Sequence, residues 1–122
     1  MGTFYVPCEI SSHVDRSKTV RIPKLLVNTG SEYTWIAEKF LIKLGIQPEK
    51  KDLSFIMANG QMITRRVGFG ILRVAGVHTT DEVVFAQEGD LQLLGARSLE
   101  GLNLRVDSRS KKLVAVGTWP AA

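Results

Sequence analysis

Three apolar residues, Leu25-Leu26-Val27, run straight into Asn28-Thr29-Gly30-Ser31, and a short polar loop then leads to Trp35. A continuous apolar run of this length is the pattern of a strand buried on both faces rather than on one. The strand therefore ends inside the protein, in an Asn-Thr-Gly turn, and the rest of the chain is organised around that end.

The flanking segments read mostly as strands. Residues 3–10 form a first strand, 11–19 a polar hairpin loop, and 20–27 the second strand, in which Pro23 marks an edge or a bulge. Ile36, Phe40 and Leu44 recur at helical spacing, with Glu38, Lys39 and Lys43 on the other side, and predict a short helix over 36–44. Thr34 is placed to cap its start and Gly45 to close its end. A strand over 53–57 meets Asn59-Gly60, a strong hairpin signal, and a long return arm follows over 61–74. Gly68 and Gly70 in that arm permit a bend or a close backbone approach. Further strand is expected over 77–80 and 82–86, a loop over 87–90, and an apolar run 91–94 into Gly95. A short helix over 96–99 closed by Gly101, then strands over 102–106 and 113–116, complete about eight strands and two short helices. Eleven glycines with frequent Val, Ile and Thr agree with a mostly all-β fold.

The chain of 122 residues fits one domain, 1–122. Its formal charge of +4 comes from scattered pairs such as Arg65-Arg66 and Lys111-Lys112. No aromatic residues interleave with them, so no nucleic-acid surface is expected. Cys8 is the only cysteine and excludes an intrachain disulfide. His13 and His78 have no ligand-spaced partners, so no metal site and no cofactor is expected. No signal peptide and no membrane-spanning run is visible, which points to a cytoplasmic protein without a membrane partner.

Three features stand in a telling order: Asn28-Thr29-Gly30-Ser31 with Trp35, the Ala58-Asn59-Gly60 turn about thirty residues later, and Leu93-Leu94-Gly95 before a short helix. Together they resemble the retropepsin-like aspartic proteases, the single-domain branch of that family. The closing pattern, Asn103 to Asp107 followed by Lys112 to Thr118, resembles the terminal hairpin of its cellular and bacterial members. The resemblance implies a closed acid-protease β-barrel, half of a pepsin, that works as a homodimer on a peptide or protein substrate. It makes Asn28, Thr29 and Gly30 the catalytic triplet, and it places Ser31 and a flap of Ala58, Asn59, Gly60, Gln61 and Met62 against substrate. Leu93, Ile56 and Ile71 are either pocket lining or core.

The chemistry explains the motif. Hydrolysis by attack of water needs a base for the water proton and an acid for the carbonyl, and two carboxyl groups sharing one proton supply both. Gly30 allows a tight turn beside a partner loop, Thr29 can reach across it, and Ser31 can orient the catalytic side chain. No second Asp-Thr/Ser-Gly triplet occurs, so a complete site needs two chains on a two-fold axis. The terminal segments, 3–6 and 114–119, fit an intersubunit sheet or intrachain edge pairing equally.

The first residue of the triplet is Asn28, not aspartate. An amide cannot act as general base near neutral pH nor donate an acidic proton. The expectation is an aspartic endopeptidase domain made inactive by an engineered Asp-to-Asn exchange. The alternative is a natural pseudoprotease serving as a peptide-binding or dimerisation module.

Overall fold

The computed structural model describes residues 3–121. Strands β1 (Tyr5–Ser12), β2 (Thr19–Val27) and β3 (Thr34–Ala37) precede helix α1 (Glu38–Lys43). Then come β4 (Pro48–Ile56), β5 (Met62–Val74), β6 (Val77–Ala86), β7 (Leu93–Leu94) and helix α2 (Ala96–Gly101). A separate hairpin of β8 (Leu104–Asp107) and β9 (Lys112–Ala115) follows.

Six strands close into a ring in the order β1-β2-β7-β3-β6-β5, with β5 returning to pair with β1, and β4 flanks β5. The all-β expectation of a closed barrel with two short helices is met. Ring closure depends on the length of β5. Its first half pairs with β4 as far as Pro48↔Gly68, and its second half pairs with β1 from Ser12↔Gly70. Gly68 and Gly70 sit at this change of partner. A Cβ on Gly68 would lie 2.6 Å from the Gln47 carbonyl oxygen, and one on Gly70 would lie 2.9 Å from Ile10 Cδ1. Both glycines mark close approach.

Pro23 marks a bulge. The β1–β2 register passes from Val6↔Leu25 to Cys8↔Ile22, so Pro23 and Lys24 together oppose Pro7.

The run Leu25-Leu26-Val27 is explained by two apolar clusters on opposite sides of the ring. Leu25, Val27, Ile36, Val83 and Phe85 face the main core with Ile10, Leu41, Leu72 and Leu94. Trp35, Val84, Val67, Ala86 and Leu93 face a second cluster, which Leu26, Tyr33 and Phe55 border. Strand alternation thus sends adjacent residues to different clusters. Cys8 belongs to the main core, and burial pushes its thiol up to about 12.

Several sequence expectations need correction. The helix over 36–44 is shorter: residues 34–37 are strand β3, and Ala37 rather than Thr34 precedes the helix. Ile36 matched the helical spacing because β3 and α1 deliver residues to one core. Gly45 does end α1, with φ 74°, and the Ile46 and Gly45 amides donate to the Leu41 and Ile42 carbonyls. Gly101 does not close α2; it lies within the helix against Thr79, and Asn103 takes the left-handed position at φ 57°. Ser11 and Ser12 are buried in β1, not loop, with Ser11 Oγ hydrogen-bonded to Thr19 Oγ1 at 2.9 Å and Ser12 Oγ accepting the Val14 amide. The described residues hold nine strands rather than eight.

The terminal segments pair within the chain. The Val27 amide donates to the Phe4 carbonyl, Val114 pairs with Arg105, and Trp119 Nε1 donates to Asn103 Oδ1. No helix among the described residues is long and apolar enough to cross a membrane.

The crowded turn of β5 sets a stability test. Gly68→Ala should cost about 1–3 kcal/mol, because the new methyl overlaps backbone rather than a movable side chain. Chemical denaturation measures this, and an unchanged midpoint would show that Gln47 and Ile46 yield freely.

Candidate active site

β2 and β3 carry the two ends of the Asn28 loop, and β7 lies between them. Leu26 and Val27 pair in parallel with Leu93 and Leu94, and Trp35 pairs with Leu93 from the other side. The Asn28 amide donates to the Leu94 carbonyl at 3.0 Å. Asn28 Oδ1 then accepts the Gly30 amide at 2.9 Å, which fixes its side chain in an Asx turn.

The loop rests on the start of α2. The Ala96 and Arg97 amides, free at a helix N-terminus, donate to the Ser31 carbonyl at 2.7 Å and the Glu32 carbonyl at 3.1 Å. Gly95 makes this approach possible. A Cβ there would fall on the Tyr33 carbonyl and 2.8 Å from the Glu32 oxygen. Leu93-Leu94-Gly95 therefore supports the loop directly.

Below the loop runs a buried chain of hydroxyls. The Gly95 amide donates to Thr34 Oγ1 at 2.9 Å, Thr34 is 2.5 Å from Ser98 Oγ, and Ser98 donates to Asp81 Oδ2 at 2.8 Å. Since a carboxylate only accepts, the direction follows: Ser98 gives its proton to Asp81 and receives that of Thr34. Thr34 and Ser98 are both 0% exposed, so each link satisfies a group that water cannot reach. Sequence reasoning missed this chain. Thr34 gave a signal, a hydroxyl between two apolar runs, but Ser98 and Asp81 are joined to it only by the fold.

A cleft of about 640 Å³ opens above the loop. Asn28, Gly30 and Ser31 lie on one side and Leu53 to Ala58 of the hairpin on the other. Tyr33, Trp35 and Leu93 also line it, and Phe55 stacks at a tilt on Trp35 with centroids 4.9 Å apart. Ile56 and Leu91, 75% and 66% exposed, add apolar surface.

The expected site residues divide. Asn28, Gly30, Ser31 and Ala58 come together in the cleft lining. Thr29 is exposed beside them on the loop. Asn59, Gly60, Gln61 and Met62 form the exposed hairpin tip, outside the lining, and the ascending arm 53–57 supplies most of that wall. Ser31 Oγ donates to the Tyr33 carbonyl at 3.0 Å, so it stabilises the loop rather than orienting the Asn28 side chain. Ile56 and Leu93 line the cleft, while Ile71 is core.

Of two ion-pair systems on these elements, only the first reaches the cleft lining, through Asp90. Arg65 Nε and Nη2 clasp Asp90 at 2.7 and 2.9 Å, and this guanidinium holds the Asp90 carboxyl below its usual range. Glu82 is lowered by Lys50 at 2.8 Å, assisted by Arg97 at 3.3 Å. Both carboxylates stabilise the fold above their unfolded titration range and lose that contribution as pH falls through their lowered values. Asp90 and Glu32 are the carboxylates of the cleft lining, and Asp90 is neutralised by its arginine. Among the described residues no three potential metal ligands gather at one place.

The hydroxyl chain yields a prediction. Thr34→Val should cost roughly 1–3 kcal/mol by leaving the Gly95 amide without its acceptor and Ser98, still bonded to Asp81, without the Thr34 hydroxyl, and Thr34→Ser should cost less. Denaturant unfolding of both variants measures the difference; equal losses would count against the hydroxyl as the cause.

The sequence profile of the gag-polyprotein putative aspartyl protease family matches residues 18–101. No match is found among curated proteins. The matched span runs from the turn before β2 to the end of α2 and contains the Asn28 loop, the hairpin and the Leu-Leu-Gly support. On that match, which covers well over half its length, this chain belongs to the gag-polyprotein aspartyl protease family and is a retropepsin-like aspartic protease domain.

Proposed function

We propose that this domain binds extended peptides as a homodimer and does not cut them, because Asn28 stands where each chain of an active dimer supplies an aspartate. The observation that carries the reading is Asn28 itself. It sits at the floor of an apolar cleft, with its backbone held by Leu94 and its loop cradled by α2, in a family whose members hydrolyse peptides.

The shape of the loop supports a shared site. Thr29 and Gly30 are exposed, and apart from its two chain neighbours the only atom of the described residues within 4 Å of a Cβ built on Gly30 is Asn28 Oδ1, at 3.2 Å. Gly30 also lacks a positive φ. Nothing else among the described residues demands a glycine there, whereas a second loop facing it across a two-fold axis does. The two Asn28 side chains then meet, and neither can take the proton of a water or lend one to a carbonyl. A peptide lying between loop and hairpin is recognised by apolar side-chain pockets and, as an added strand, by its backbone.

In the active form, one aspartate takes the water proton as the water attacks the peptide carbonyl, and the other protonates the carbonyl oxygen. The two carboxyls share a single proton because like charges at that distance cannot both ionise. No covalent intermediate with the protein forms.

Asn28→Asp tests this. It should raise hydrolysis of an unfolded protein or an apolar peptide by roughly a hundredfold or more, the range for positioned acid–base groups. The rate should follow a bell in pH, since one proton too many or too few disables the pair. Restored cleavage indicates an Asp-to-Asn exchange in an otherwise intact protease, whether engineered or not. A folded dimer of this variant that cuts nothing between acid and neutral pH points to the pseudoprotease, a peptide-binding or dimerisation module. Gly30→Val should leave the monomer fold standing but weaken association at least tenfold, as judged by sedimentation, through a crowded loop contact of about 1.4 kcal/mol or more. Unchanged dimerisation would remove the loop from the interface.

A further inference from the structure

The β4–β5 hairpin leaves the ring early. β5 pairs with β6 only from Val67↔Val84 onward, so the stretch from Leu53↔Arg65 to Ile56↔Met62 is a two-stranded arm. Leu53, Phe55 and Ile63 lean on the second apolar cluster. Arg65 stands where this arm begins and reaches across to Asp90 in the loop after β6.

That contact is built more firmly than the other ion pairs described. It is bidentate, and its two side chains are only 14% and 10% exposed. A planar guanidinium on a carboxylate fixes direction as well as distance. Asp90 has a second task, because its Oδ2 also accepts the Gln87 amide at 2.8 Å, while the Asp90 amide donates to the Gln87 carbonyl at 3.0 Å. One carboxylate therefore holds the fold of the 87–90 loop and the base of the hairpin together. The cleft-lining residues Leu91 and Leu93 follow directly from that loop.

We propose that Arg65–Asp90 is a positioning clamp which makes the hairpin arm and the 87–92 wall of the cleft open and close as one unit. The clamp acts through geometry alone. Tilting the arm displaces Arg65, Arg65 pulls Asp90, and Asp90 carries the Gln87 turn and with it Leu91. The width of the cleft and the shape of its apolar wall then change together rather than independently. The consequence for substrate rests on the peptide-cleft reading above, but the coupling itself requires no peptide.

Amide hydrogen exchange on the whole chain, without added ligand, tests it under native conditions. Arg65→Gln changes only the arm, yet exchange should quicken about tenfold both over 54–64 and over 87–92, the scale set by losing a charged hydrogen bond in a local opening. Exchange over 67–74, in the ring, should not move. Asp90→Asn should give the same two-segment pattern, and Arg65→Lys, which keeps the charge but not the fork, should fall between the parent and Arg65→Gln. Acceleration of the arm alone in Arg65→Gln overturns the coupling. Equal acceleration of the ring, or no change anywhere, overturns the clamp. Because no substrate enters the measurement, this result and that of Asn28→Asp can fail separately.

Discussion

A backbone-on-backbone contact at Gly95 sets the geometry on which the rest of the site depends. Only a residue without a Cβ lets the start of α2 lie against the 31–33 carbonyls. Two helix amides then find acceptors in the loop, and the loop finds donors that a solvent-facing turn would have to borrow from water. The same contact aligns β7 between β2 and β3, so the Asn28 loop is held from below and from both sides. Two of the four buried polar side chains among the described residues, Thr34 and Ser98, lie here. The Thr34–Ser98–Asp81 chain finishes the support, and no buried side-chain nitrogen or oxygen among the described residues lacks a partner.

Against that fixed floor the opposite wall of the cleft is lightly attached. The hairpin arm has its own ladder, an apolar underside and the Arg65–Asp90 fork. A braced loop under one side of the cleft and a two-stranded arm over the other agree with the proposed reading, in which an extended peptide enters between them.

The sequence disclosed the parts that local chemistry dictates. Asn59-Gly60 produced its hairpin, although Gly60 alone takes positive φ, at 84°, and Asn59 instead accepts the Gln61 amide on its side chain. Gly45 and Pro23 also behaved as their backbone constraints require. The failures came where two elements share one core. Ile36, Phe40 and Leu44 looked like one helix because apolar spacing cannot reveal that the first of them lies in a strand feeding the same cluster. Thr34 looked like a cap because its true partners are more than sixty residues away. The motif triplet named the site's floor, but the tip of the hairpin drew attention from the ascending arm. Alternation along β4, with Leu53 and Phe55 turned inward, is legible only once the hairpin's position over the loop is known.

The placement of β7 carries a consequence for the order of assembly. Two residues, Leu93 and Leu94, form the central plank between strands that lie some sixty residues earlier. As the chain leaves the ribosome, β2 and β3 emerge with a gap between them. Until residues 93–101 follow, the Asn28 loop has neither plank nor helix beneath it. On the proposed reading, an aspartate at position 28 would thus be born unarmed, its support completed only after nearly all of the matched span, 18–101, has been made.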